Sequence, residues 1–264
     1  MDYSFDVGGL VGGILGAIPT LITVLLLRRQ IKSEDKKDRV ETVMKLFNDY
    51  FTNENFQSVF EIIDQDDVNK SKNEIEIILS GGEVNRIKET HLSQYFNYFN
   101  AIAILVREKI IDQHIVLEMF KYQLERTFSH LPLIQYVEDF GFNKVKNILP
   151  NALFTYGTLS DPTFRKLNPE LKGCAKYLEN GFAISLNGYK LEEVKSDKEY
   201  KALVHGEKTC EVSGIIVRII DNSNLHELFS CLDHYEEVDS LYDRKIIWLP
   251  KNNSYAWVYM KKLN

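Results

Sequence analysis

The stretch Leu153–Leu159, LFTYGTL, marks the point where the chain changes from helical to strand-like sequence. It follows Pro150, and an apolar strand pattern runs directly into Tyr-Gly-Thr. We therefore expect the backbone to turn sharply at Gly157 and to expose N–H groups that can hold an anion. Taken alone, the stretch is no more than a strand followed by an ordinary tight turn, so its meaning depends on the rest of the sequence.

The composition is that of a globular protein, with 44% hydrophobic and 27% charged residues among 264. A formal net charge of −6 gives no overall basic bias toward nucleic acid, which we therefore exclude as a partner. Cys174, Cys210 and Cys231 are widely spaced and form no CxxC pair. This pattern argues against a disulfide framework or a zinc site and fits a reducing compartment. The six histidines fall at no ligand spacing, so no metal is predicted.

Residues 7–27, VGGLVGGILGAIPTLITVLLL, form an uncharged segment long enough to cross a hydrocarbon core of about 30 Å as a helix. A cleaved signal peptide is the alternative, but the tail at residues 1–6 has no basic residue and no small-residue cleavage site follows. The basic residues come after the segment: Arg28, Arg29, Lys32, Lys36, Lys37 and Arg39. The sequence thus predicts a single-pass anchor in the inner (cytoplasmic) membrane, with the N-terminus outside and the bulk of the chain in the cytoplasm.

Glycines within this segment recur four residues apart, at Gly8/Gly12, Gly9/Gly13 and Gly12/Gly16. Such small-xxx-small spacing permits close helix packing, although glycine is also common in membrane helices in general. A homo-oligomer formed through this face or through the following helical region is therefore one interpretation, and an unremarkable membrane helix is the other.

Residues 28–150 are predicted to form a helical domain. Apolar residues recur at three and four positions, for example at Tyr95, Phe96, Phe99 and Ile102. No acid pair, nucleophile or phosphate loop stands out. The segment YFNYFNAIAILVREKIID, following a membrane helix, loosely resembles the helical region of uncharacterised bacterial membrane-anchored proteins, which implies no activity. A spacer, an oligomerisation unit and a sensor all remain open.

From residue 151 onward the pattern changes to short runs rich in Val, Ile, Phe, Tyr and Trp. Strands are predicted at Leu153–Tyr156, Gly181–Leu186, Val212–Ile220, Arg244–Leu249 and Ala256–Met260, with a helix between Asn224 and His234. This mixture predicts an α+β domain over residues 151–264. The whole chain is thus predicted to be multi-domain: a short tail, a membrane helix, an all-α region and an α+β domain.

A second informative stretch is Leu232–Arg244, LDHYEEVDSLYDR. LFTYGTL, GFAISLNGYKL, VSGIIVRI, LDHYE with YDR, and AWVYM occur in this order over about 110 residues. Together they resemble the γ-glutamylcyclotransferase-like (AIG2-like) family, and the resemblance covers residues 151–264 only.

The resemblance implies a small barrel with a cleft and an enzyme that releases 5-oxoproline from γ-glutamyl amines or peptides. The family's substrate-binding Tyr-Gly-Ser/Thr-Leu turn falls on Tyr156, Gly157, Thr158 and Leu159, and its Tyr-x-Arg falls on Tyr242 and Arg244. Its catalytic glutamate falls on Glu236. Glu237 stands where the family often has glycine, a departure that leaves the substrate class open.

The chemistry favours the same glutamate. Cyclisation requires the α-amine of a γ-glutamyl substrate to attack its own γ-carbonyl, and one carboxylate between the two nitrogens can move the protons. The reaction is intramolecular and requires no metal or cofactor. The alternatives are structural. Glu236 would then be a solvated acid at a helix end. Asp233 is interpreted as a capping or structural acid rather than a second catalytic carboxylate, and Arg244 is either a cleft residue or a surface strand arginine. A non-catalytic binding or signalling module on the same fold, tethered to the membrane, is the alternative function.

Overall fold

A computed structural model describes residues 36–65, 68–80, 85–194, 200–220, 224–238 and 240–262. The predicted membrane segment at residues 7–27 lies outside these ranges, so it stays a prediction. Within the described ranges, no helix combines the length and the apolar character needed to cross a bilayer.

The first half of the described chain is helical, as predicted. Its helices pack around a core of aromatic rings in which Tyr50, Tyr95, Phe99 and Phe120 lie with ring centroids 5.1–6.0 Å apart. The bounds are α1 Lys36–Thr52, α2 Glu54–Ile63, α3 Val68–Leu79, α4 Arg86–Arg107, α5 Gln113–Ser129 and α6 Leu131–Asp139, followed by a 3₁₀ helix at Asn143–Ile148. We call this region the helical domain.

The second half of the described chain is a mixed sheet with two α-helices. The strands are β1 Ala152–Thr155, β2 Leu178–Asn187, β3 Tyr189–Val194, β4 Tyr200–His205, β5 Glu211–Ile219, β6 Tyr242–Leu249 and β7 Ser254–Lys261, and the helices are α7 Pro162–Leu167 and α8 Leu225–Tyr235. Strand order is β2-β5-β1-β7-β4-β3, and β6 pairs with β7 along its whole length. A helical region followed by a mixed α/β domain agrees with the predicted fold at that level. The hairpin β3–β4 was not predicted, because its charged residues hide the strand alternation.

The sheet branches at strand β7, next to the site, because β1 and β4 share one edge of this strand; we call the gap between β1 and β4 the fork. One edge of β7 pairs with β6, while the other pairs in parallel with β1 at Trp257 and then with β4 at Met260. Tyr156, the residue after β1, fills the fork: its hydroxyl donates to the carbonyl of Tyr259 at 2.8 Å and accepts from the N–H of Leu203 at 3.1 Å. The chain must therefore leave the sheet at Gly157, where the strands diverge.

The two faces of the sheet belong to different cores. Alternate strand residues such as Leu153, Ile246 and Trp257 join one buried cluster with α8 and with the helical domain. Their neighbours Phe154, Ile247 and Val258 belong to a smaller cluster on the opposite face. The helical domain and the sheet domain consequently share one continuous hydrophobic core.

Candidate active site

Glu236 is held at the C-terminal end of α8 by a Schellman motif. The N–H of Val238 donates to the carbonyl of Asp233 at 2.9 Å, and the N–H of Glu237 donates to that of His234 at 3.3 Å. The buried residues Leu225, Leu228, Phe229 and Leu232 fix the helix itself to the core. Backbone hydrogen bonds and helix packing therefore determine where the Glu236 side chain lies.

Glu237 occupies the left-handed position of this motif, with φ at +50°. This conformation is the reason that glycine is preferred after a helix end, since a Cβ there approaches the backbone closely. Glutamate in place of the family's glycine at position 237 thus has a local structural consequence. Glu237 adopts the left-handed backbone conformation that the motif requires, and this conformation is strained for a residue with a Cβ.

The Tyr-Gly-Thr turn forms a short 3₁₀ helix, Gly157–Ser160, with Gly157 at φ +59°. By the geometry of such a turn, the first N–H groups, those of Gly157 and Thr158, have no partner within it. The hydroxyls of Thr158 and Tyr235 lie 2.9 Å apart and join the turn to the end of α8. The two stretches singled out in the sequence are therefore in direct contact.

A cleft of about 1050 Å³ lies between the turn and the end of α8, a volume ample for a small metabolite. Among the residues predicted for the site, the cleft is lined by Tyr156, Gly157, Thr158, Glu236 and Tyr242. It is also lined by residues that sequence reasoning missed: Phe164, Asn168, Pro169, Glu170, Leu191 and Lys201. Leu191 and Lys201 come from the unpredicted hairpin, and no motif marks the others.

Leu159 and Arg244 do not line the cleft, which corrects their assignment to substrate binding. The Leu159 side chain is apolar and is buried in the main core. Arg244 is 2% exposed, so it is neither a cleft residue nor a surface arginine. Its Nη1 donates to both carboxylate oxygens of Asp233 at 2.7 Å, and its Nη2 donates to the carbonyl of Phe128 in the helical domain. Asp233 therefore has a structural role as the partner of Arg244.

The Glu236 carboxyl group is tuned for proton exchange near neutral pH. Burial, and secondly the charge of Asp233, raise its pKa from 4.5 to about 7. Burial likewise raises the pKa of the Tyr156 hydroxyl, with a further contribution from the Glu236 charge. The Tyr156 hydroxyl therefore stays protonated near neutral pH and keeps its hydrogen bonds to Tyr259 and Leu203.

Within the described ranges, no three His, Cys, Asp or Glu side chains come together as a metal-ligand set. The acids of the cleft come from two places: Glu170 follows α7, while Asp233, Glu236 and Glu237 lie at the end of α8. What the arrangement offers is one carboxylate of raised pKa in the same cleft as a turn whose first backbone N–H groups have no partner within the turn, which is suited to proton transfer beside a developing negative charge.

Two family models match the chain. Residues 11–138 match a domain of unknown function (DUF4760), and residues 153–264 match the model described as gamma-glutamyl cyclotransferase, AIG2-like. No curated protein and no solved structure matches the chain. The resemblance carried by LFTYGTL and LDHYE is thereby confirmed as a match of residues 153–264 to the gamma-glutamyl cyclotransferase, AIG2-like, family model.

Proposed function

We propose that this chain is a γ-glutamyl cyclotransferase that releases 5-oxoproline from a γ-glutamyl amine or peptide, with Glu236 as its general acid and base. The observation that carries the proposal is that Glu236, with its pKa raised to about 7, lines the same cleft as the Tyr156–Thr158 turn. The family match over residues 153–264 supports the reaction class.

The proton inventory requires one group that both accepts and donates. The substrate α-amine begins as an ammonium with three protons, of which one stays on the lactam nitrogen and two end on the departing amine. Glu236 takes one proton from the ammonium, the free amine attacks the γ-carbonyl carbon, and Glu236 passes that proton to the leaving nitrogen. Glu236 then takes the second proton from the attacking nitrogen, the bond between the carbonyl carbon and the leaving nitrogen breaks, and Glu236 gives this proton to the departing amine, which leaves as an ammonium. A pKa near 7 suits both halves of this exchange.

The turn supplies the complementary electrostatics. The N–H groups of Gly157 and Thr158 are available for the substrate α-carboxylate or for the oxyanion that develops on the γ-carbonyl. Because both reacting groups belong to one molecule, the main task of the site is to hold the substrate folded back on itself. The cleft is larger than a γ-glutamyl group requires, and the remaining space accommodates the leaving amine.

The test is to incubate the purified full chain with a panel of γ-glutamyl dipeptides and γ-glutamylamines and to quantify 5-oxoproline by mass spectrometry. We expect Glu236→Gln to lower kcat by about 10² to 10⁴ fold. Glu227→Gln, an exposed acid at the other end of α8, is the matched control and should retain activity. We also expect kcat/KM to rise with pH through about 7, as Glu236 loses its proton.

Activity that survives Glu236→Gln would rule out this residue as the base. Binding of panel compounds without any release of 5-oxoproline would instead support a non-catalytic binding module on the same fold. Isothermal calorimetry on Glu236→Gln measures substrate binding in the absence of turnover, because an isosteric glutamine leaves the cleft shape intact.

We further propose that residues 7–27 anchor the chain in the cytoplasmic membrane, with the N-terminus outside. The uncharged length and the basic residues that follow it support this topology. We expect the chain to resist carbonate extraction from membranes. In a variant with its three natural cysteines replaced by serine, Ser4→Cys should react with an impermeant maleimide from outside; labelling from the cytoplasmic side alone would reverse the orientation.

A further inference from the structure

A chain of buried contacts connects the helical domain to the acid end of α8. It starts at Glu125, a residue of α5 that is 7% exposed and whose Oε2 accepts from the backbone N–H of Ile246 in β6 at 2.8 Å. Its Oε1 lies 3.3 Å from Nζ of Lys245. One carboxylate of the helical domain thus binds the middle of β6 at two successive residues.

The chain continues through Arg244. Its Nη2 donates to the carbonyl of Phe128 at the C-terminal turn of α5, and its Nη1 donates to both carboxylate oxygens of Asp233 on α8. The planar group also stacks over the ring of Phe229, 3.8 Å from its centroid. Arg244 therefore holds the helical domain and α8 at once.

Asp233 is three residues before Glu236 and bears on it directly. It accepts from the Tyr259 hydroxyl at 2.7 Å, lines the cleft, and is the charge that raises the Glu236 pKa after burial itself. The other titratable and charged groups that line this cleft come from several elements: Tyr156, Glu170, Lys201, His234, Tyr235, Glu237 and Tyr242. The charges of Asp233 and Glu236 also act on the buried Tyr259 hydroxyl. Asp233, unlike these groups, is bound by Arg244, which also binds the Phe128 carbonyl of the helical domain.

We infer that the helical domain positions the general base: Glu125 and the Phe128 carbonyl hold β6 and Arg244, and Arg244 holds Asp233 and the end of α8. This inference rests on the function proposed for Glu236. It gives residues 36–150 a part in the reaction, since the wall behind the base is built from both halves of the chain. Arg244 and Glu125 are positioning residues and contact no substrate.

The variants Glu125→Ala and Glu125→Gln in the full chain separate positioning from charge. Glutamine keeps an oxygen that can accept from the Ile246 N–H, whereas alanine does not. For Glu125→Ala we expect kcat to fall about tenfold or more with KM within about twofold, because the base loses its alignment while the turn keeps its own. Water admitted behind a loosened α8 should also move the acidic limb of the kcat profile about one pH unit lower.

Glu125→Gln should retain kcat and the acidic limb, as should the control Glu118→Ala, an exposed acid on the same helix. Arg244→Lys is the second variant, since one ammonium nitrogen replaces two guanidinium nitrogens with separate partners; it should reproduce the alanine phenotype. Unchanged kcat and acidic limb in both Glu125→Ala and Arg244→Lys would overturn the inference. So would an equal loss in Glu125→Gln, because the charge and not the acceptor would then matter.

A readout that needs no turnover keeps this test separate from that of the proposed function. The titration of Glu236 can be followed by NMR on protein labelled at glutamate carboxyl carbons and assigned by its disappearance in Glu236→Gln. A wild-type chain that releases no 5-oxoproline defeats the proposed function alone. A Glu236 pKa that is the same in wild type, Glu125→Ala and Arg244→Lys defeats the positioning inference, whatever the activity.

Discussion

At the scale of the residue, Glu236 lowers the stability of the fold at the pH where its carboxylate can act as a base. Its folded pKa of about 7 exceeds the unfolded value of 4.5, so the native state binds the proton more tightly. Stability from this group is fully present below pH 4.5 and is lost as the pH rises through 7. Burial of the ionised carboxylate then opposes folding, which is the usual conflict between a reactive group and a stable core.

This conflict predicts that Glu236→Gln stabilises the chain in a pH-dependent way. The variant should unfold with a free energy larger than that of wild type by about 3 kcal/mol at pH 8, and by less than about 1 kcal/mol at pH 5. Urea denaturation at the two pH values measures the difference, and Glu227→Gln serves as the exposed control. A gain that is the same at both pH values would mean that Glu236 does not titrate near neutrality.

Glu237 provides a second prediction at this scale. Its φ of +50° costs a residue with a Cβ about 1 kcal/mol, and glycine avoids that cost. We therefore expect Glu237→Gly to raise the free energy of unfolding by about 1 kcal/mol. Glu237→Ala, which removes the same charge but keeps the Cβ, should not. Equal gains in the two variants would assign the effect to charge.

At the scale of the element, the parting of β1 and β4 along one edge of β7 makes the cleft, and Tyr156 closes the gap between them. Tyr156→Phe leaves the Leu203 N–H and the Tyr259 carbonyl without their partner in the interior. We expect a loss of about 1 to 3 kcal/mol in unfolding free energy, with a smaller effect on substrate affinity. Urea unfolding and KM measured on the same protein decide this. A large rise in KM with unchanged stability would make the hydroxyl a substrate ligand instead.

The sequence was informative about elements whose signal is local. The apolar period of α4 predicted the buried face that contains Tyr95, Phe96 and Phe99, and the β-branched runs predicted five strands. The hairpin β3–β4 was missed because charged side chains such as those in KLEEV interrupt the alternation, and its strands gain their stability from pairing.

Within the site, too, residues in local motifs were predicted and contacts that depend on tertiary packing were not. Tyr156, Gly157, Thr158 and Glu236 lie in short continuous motifs, and a family resemblance carried them over. The environment of Arg244 was not predictable, because its partners Asp233 and Phe128 lie 11 and 116 residues away along the chain. A buried ion pair between a strand and a helix follows from tertiary packing, and no periodicity in one sequence records it.

At the scale of the whole molecule, the boundary near residue 150 separates two family matches but not two cores. Trp257, the largest fully buried side chain, lies in the cluster that extends into the helical domain, and its Nε1 donates to the carbonyl of Pro150 at 3.1 Å. His226 at the start of α8 donates its backbone N–H to Glu138 of α6 at 3.1 Å. The sheet domain is therefore built onto the helical domain rather than connected to it by a linker.

This shared core predicts that residues 151–264 do not form a stable unit alone. Without the helical domain, Ile246 loses the Glu125 acceptor, Arg244 loses the Phe128 carbonyl, and Trp257 loses Pro150. Each loss costs about 1 to 3 kcal/mol, and the apolar face around Trp257 is exposed at about 25 cal/mol per Å². Together these costs approach the whole stability of a typical domain, about 5 to 15 kcal/mol.

The measurement compares thermal unfolding of residues 151–264 with that of residues 36–264, followed by near-ultraviolet circular dichroism of the buried tryptophan. Residues 36–264 should unfold in one cooperative transition, since a single core spans both halves. The shorter fragment should lack the tryptophan signal and a sharp transition. A fragment that melts cooperatively within a few degrees of residues 36–264 would show that the sheet domain folds independently, and the helical domain would then have no part in holding the end of α8.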